Sequence, residues 1–120
     1  MLKDHFYQLS AIHHQDDTIT AHIQLNGEHE IFQGHFPGQP VVPGACMLQM
    51  VKEILFDVLN QPYQLKKAAN LKFLVPVDPR VTDELVLKMG YKEAAVGMQI
   101  SAAMTANEVV CFKMQGIFVC

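Results

Sequence analysis

Between Thr18 and Leu25 the chain alternates without a break: Thr18, Thr20, His22 and Gln24 are polar, and Ile19, Ala21, Ile23 and Leu25 are apolar. A period of two puts each set on its own face, so the run predicts a strand with one buried side. The β-rich run over residues 6–14, joined to it through Gln15, Asp16 and Asp17, predicts the other arm of a hairpin. From Pro43 to about Asn60 the period changes. The segment PGACMLQMVKEILFDVLN has no internal proline, opens on a proline suited to the first helical position, and stops at Asn60 before Gln61-Pro62. Its polar residues Gln49, Lys52, Glu53, Asp57 and Asn60 fall on one narrow stripe, which predicts a helix buried around most of its circumference.

Downstream, residues 64–77, 84–93, 95–104 and 108–119 predict four strands divided by short polar connections. Consecutive strands with short links are expected to be largely antiparallel. One apolar helix cannot bury its circumference against a flat sheet, so the sheet is expected to curl around it. The fold class is therefore α+β, with one domain spanning residues 1–120 and a second copy of the chain as an economical cover for the remaining helix surface.

Composition narrows the function. The formal net charge is -3, and the basic residues are scattered apart from Lys66-Lys67, which excludes an electrostatic footprint for nucleic acid. No unbroken apolar run reaches membrane-spanning length, and the first residues lack the apolar core of a signal peptide, so a cytoplasmic location is expected. Cys46, Cys111 and Cys120 are odd in number and widely spaced, which argues against a disulfide framework and a thiolate zinc site; Cys46 and Cys111 read as buried apolar residues. His13-His14 beside Asp16-Asp17 is not a metal site, because neighbouring strand residues point to opposite faces. Residues 27–30 with His35 lack a ligand spacing as well, so no metal is assigned. The many methionines read as core.

The chemistry lies in GHFPGQPVVPGACMLQ, residues 34–49. Pro37, Pro40 and Pro43 stiffen the loop and bias Phe36, Gln39 and Val42 toward extended backbone. Such stiffening holds His35 in place relative to the helix start, where Gly44 permits close approach. Unpaired N–H groups at a helix N-terminus stabilise a carbonyl that gains negative charge. A neutral histidine, with an ordinary pKa of about 6.5, can take a proton from the neighbouring carbon. Base and oxyanion donors together describe enolate chemistry on an acyl compound.

The run GHFPGQPVVPG closely resembles the signature of the 3-hydroxyacyl-[acyl-carrier-protein] dehydratases, a hot-dog-fold family, and LKFLVPVDP at 71–79 is similar to a second block of it. The resemblance implies a curled antiparallel sheet wrapped around one long central helix, in a homodimer or a larger assembly of dimers. It implies removal of water from a 3-hydroxyacyl thioester to give a trans-2-enoyl thioester, with no cofactor and with the substrate carried on acyl-carrier-protein phosphopantetheine or coenzyme A. By this likeness His35 is the base, Gly44 N–H binds the thioester carbonyl, and Phe36, Pro43 and Ala45 join Gly44 in binding substrate. The family's acid, Glu or Asp fourteen positions after the histidine, belongs to the helix of the other subunit.

That position here is Gln49. An amide orients a hydroxyl but has no titratable proton to deliver. Glu53, one helical turn on, is a possible secondary acid, although a solvated helix carboxylate near Lys52 or Asp57 is the more ordinary expectation. The departure keeps two alternatives open: a non-catalytic acyl-binding subunit of a heteromeric dehydratase, and a hot-dog acyl thioesterase.

Overall fold

The computed structural model describes residues 2–34 and 40–120. Among the described residues, two helices and six strands follow one another as β1 (Tyr7–Gln15), β2 (Thr18–Leu25), α1 (Ile31–Gly34), α2 (Gly44–Leu59), β3 (Gln64–Phe73), β4 (Glu84–Glu93), β5 (Met98–Ala106) and β6 (Val109–Val119). The pairings among these six strands are antiparallel, in the order β1-β2-β4-β5-β6-β3.

The hairpin forms as its pattern requires. Ile19, Ala21, Ile23 and Leu25 are buried on β2, while the intervening residues are not. Asp16 and Asp17 both adopt positive φ, 51° and 61°, which gives the tight turn a twist matched to the strands. Asn107 and Glu108 repeat the device between β5 and β6, with φ of 50° and 65°.

Helix α2 begins one residue later than its proline suggests. Pro43 is the N-cap, with extended backbone at φ -60° and ψ 143°, so it donates nothing and caps nothing with its side chain. At the other end Asn60 takes the left-handed conformation and its N–H bonds to the carbonyl of Phe56, the arrangement that lets asparagine stop a helix. Cys46, Met47, Met50, Val51, Ile54 and Leu55 on α2 are buried with β-strand residues such as Leu87, Met104 and Phe112 in one core. Phe56 lies exposed, so the helix is enclosed on one side rather than all around.

Three features differ from the sequence expectation. Strand β3 stops at Phe73 instead of continuing to residue 77, because Leu74 N–H turns to the carbonyl of Cys111 and Pro76 has no N–H for a ladder. It pairs with β6, a partner the sequence reading left unnamed, and so forms a sheet edge with most of its residues exposed. The short helix α1 was not anticipated; Phe32 on it stacks on Phe6, with ring centroids 5.1 Å apart, and closes the core beside β2.

Candidate functional site

Helix α2 carries the residues that join the sequence motif to the fold. Val42 N–H bonds to Val77 O at 2.9 Å, which ties the end of the proline loop to the segment after β3. Cys46 and Met47 N–H both reach back to Pro43 O, at 3.0 and 3.2 Å. Pro43, the N-cap residue, makes no side-chain bond to the first turn. Gly44 and Pro43 are half-buried there, and Ala45 is exposed. A Cβ placed on Gly44 would stand 2.7 Å from the ring of Phe73, so the glycine is what lets that aromatic edge lie over the helix start. His35 and Phe36 lie outside the described residues.

Gln49 follows on α2, half-buried, and its side chain is not free. Its Nε2 donates to Glu53 Oε2 at 2.8 Å. Glu53 is the point where the sequence expectation is corrected: it is not a solvated helix carboxylate but a buried one, 2% exposed. Neither Lys52 nor Asp57 is its partner. Oε2 also accepts from Leu2 N–H at 2.8 Å, and Oε1 accepts from Lys3 N–H at 2.8 Å and from the Tyr7 hydroxyl at 3.1 Å. Asp57, one turn further, pairs with Lys3 Nζ at 2.8 Å and fastens the same N-terminal segment to the helix.

Burying a carboxylate penalises its charge and would raise its pKa. Here that desolvation is outweighed by the hydrogen bonds from Leu2 N–H, Gln49, Lys3 N–H and Tyr7, which together hold Glu53 below the usual glutamate range. The site therefore contains a buried anion with two donors on each oxygen. Burial of the Tyr7 phenol, reinforced by the same anion, pushes its pKa upward, so Tyr7 stays a donor. Gln49, Lys52, Phe56, Pro62 and Tyr63 border a recess of about 160 Å³ against this cluster.

The other signals fall elsewhere. His14 Nε2 meets the Tyr91 hydroxyl at 2.5 Å, whereas the His13 ring packs edge-on against His22, so the two histidines do serve different contacts. Cys46 and Cys111 are buried and their thiols are pushed up by desolvation. Among the described residues no helix is long and apolar enough to cross a membrane. What sequence reasoning missed is the part played by Leu2, Lys3 and Tyr7. The only signal was the spacing of Gln49 and Glu53, four apart on one helical face.

Comparison with known proteins agrees with the fold. The chain is similar to a dehydratase heterocomplex, ApeI:P, from Xenorhabdus doucetiae, with a TM-score of 0.81 at 17% identity over 95% of this chain and 98% of that one. An uncharacterized protein from Erwinia carotovora matches with a TM-score of 0.64 at 23% identity over 92% of this chain and 90% of that chain. In sequence, the chain is 31% identical over 105 residues to a 3-hydroxyacyl-[acyl-carrier-protein] dehydratase FabZ from Aeromonas hydrophila, covering 78% of this chain and 67% of that protein. A FabZ from Tolumonas auensis is 32% identical over 91 residues, 67% of this chain and 59% of its own length. A model of the ApeI-like family, described as ApeI dehydratase, matches residues 11–113. With a match spanning β1 to β6 and the hot-dog arrangement already evident in the sheet and helix, this chain belongs to the ApeI-like dehydratase family.

Proposed function

We propose that the protein is a 3-hydroxyacyl-thioester dehydratase that acts on acyl-carrier-protein or coenzyme A substrates in the cytoplasm, as a homodimer or larger assembly, without a cofactor. The observation that carries the reading is the pairing of the GHFPGQPVVPG run with a helix that starts at its last glycine behind an N-cap proline that offers no side-chain bond. Neutral His35 takes the proton from C2, and Gly44 N–H stabilises the negative charge that develops on the thioester oxygen. The bond between C3 and its oxygen then breaks. Gln49 has no proton to give, so His35 returns the C2 proton to the departing hydroxyl, water leaves, and the histidine ends neutral. Phe36, Pro43 and Ala45 border the acyl chain beside Gly44. Glu53, already committed as an anion to four donors, serves Gln49 and not the leaving group.

The experiment offers 3-hydroxybutyryl-acyl-carrier protein to purified protein and monitors enoyl thioester and free thiol together. Enoyl product that disappears in His35→Ala supports the dehydratase; thiol release in its place supports a thioesterase.

A second reading is supported by the amide at position 49 and by the relative described as a dehydratase heterocomplex. In it the chain is an acyl-binding subunit whose partner supplies the carboxylic acid. Turnover absent from the isolated protein and restored by a second hot-dog subunit distinguishes this case.

A further inference from the structure

A carboxylate accepts hydrogen bonds and donates none, and that fixes more than Glu53 itself. All four groups around Glu53 are donors, namely two backbone N–H groups, a phenol and the Gln49 amide nitrogen. If the Gln49 amide turned over, its carbonyl oxygen would face the carboxylate, exchanging a charge-assisted hydrogen bond for lone-pair repulsion. The amide therefore has one allowed orientation. Its nitrogen is spent on Glu53, which leaves its carbonyl oxygen as the free acceptor of a residue that borders the recess together with Phe56, Pro62 and Tyr63.

From this arrangement we infer that Glu53 is a positioning residue, which locks Gln49 as a hydrogen-bond acceptor so that the site selects acyl groups bearing a hydroxyl donor at C3. The role rests on the dehydratase reading only for the identity of that hydroxyl. Gln49 then does something an acid at this position does not: it receives the hydroxyl proton in a hydrogen bond and aims the oxygen's free lone pairs elsewhere, toward whatever group returns the proton. Buried charge is well suited to this task. Desolvation makes each hydrogen bond to the carboxylate stronger than it is in water, and the three donors besides Gln49 hold the anion still. The side chains of Leu2 and Lys3 are not needed, since their backbone N–H groups make the contact.

Two readouts test the inference. In a His35→Ala background, which leaves the ligand intact, 3-hydroxybutyryl-pantetheine and butyryl-pantetheine are titrated into the protein and their Kd values compared. One hydroxyl-to-carbonyl hydrogen bond corresponds to a preference of about tenfold for the hydroxylated thioester. That preference is expected to vanish in Gln49→Leu and Glu53→Gln and to persist in Tyr7→Phe, which removes a different donor from the same carboxylate. In parallel, the Gln49 side-chain amide is followed by 15N NMR. One of its protons is expected downfield and slow to exchange, and to lose both properties in Glu53→Gln. Where Glu53→Gln does not fold, Glu53→Asp withdraws the charge by one methylene and supplies the same readouts. A folded Glu53 variant with the wild-type preference, or an amide resonance indifferent to Glu53, overturns the inference, as does a parent protein with no preference at all. Absence of enoyl product in the turnover assay, with the preference and the amide signature intact, sinks the dehydratase reading and leaves the locked acceptor standing.

Discussion

Replacing Gln49 with glutamate sets a second carboxylate against Glu53, and the structure allows the consequence to be sized. The present contact is 2.8 Å from Gln49 Nε2 to Glu53 Oε2, so the two charge centres of the variant would lie about 4 Å apart. Repulsion at that distance is about 4 kcal/mol with the effective dielectric that describes protein sites. Ionising an ordinary glutamic acid, pKa about 4.3, is favourable at neutral pH by roughly 3.7 kcal/mol. The two quantities nearly cancel, so the variant pair keeps a shared proton in about half of the molecules at neutral pH, and in more of them below it, where the parent protein has none. An O–H···O bond replaces the lost N–H···O bond, and little stability is lost while that proton is present. The variant thus acquires the general acid that the parent lacks, a contribution of roughly 10² to 10⁴ in rate where it is fully used. The assay is enoyl-thioester formation from 3-hydroxybutyryl-acyl-carrier protein between pH 5.5 and 9. We expect a rise of at least about tenfold at and below neutral pH, falling away on the alkaline side as the shared proton is lost. An unchanged or lower rate in a variant with parental circular dichroism would refute the reasoning and show that Gln49 is not a substitute for an acid.

Further outcomes follow from other contacts. Because Glu53 is held below its ordinary pKa, its contribution to stability is present in full above about pH 4.3 and is lost as the pH falls through its lowered native value; urea midpoints should decline across that acid window, and less steeply in Glu53→Gln. Gly97 has φ of 76°, and a Cβ there would press on the carbonyl of Phe118, so Gly97→Ala should lose at least the 1–3 kcal/mol of a left-handed alanine in chemical denaturation. In the native protein a thiol reagent should modify exposed Cys120 quickly, and buried Cys46 and Cys111 only on the timescale of opening, which mass spectrometry of quenched samples resolves.

The parts of this molecule written in local periodicity were legible in advance. Alternation between Thr18 and Leu25 located a half-buried strand, and the stripe through Gln49, Glu53 and Asp57 located a helix with its correct stop at Asn60. Pairing of β3 with β6 was not legible, since short links between strands favour neighbours in sequence and nothing in QLKKAANLKF names a partner about 40 to 55 residues away. The surroundings of Glu53 were hidden for a related reason. Its carboxylate was expected in solvent because charged helix residues usually are, yet three of its four donors come from Leu2, Lys3 and Tyr7, and two of those are backbone groups that no residue type advertises. The proline loop's motif was legible as a likeness, and its His35 and Phe36 fall outside the described residues.

The backbone character of those donors has an evolutionary consequence. Any amino acid except proline offers an N–H at positions 2 and 3, so the ligation of the anion does not itself depend on the side chains there, although Lys3 separately pairs with Asp57. Selection acting on the Gln49 amide would then leave almost no trace in the composition of the segment that supports it. Its clearest mark would be a prohibition, the exclusion of proline from positions 2 and 3.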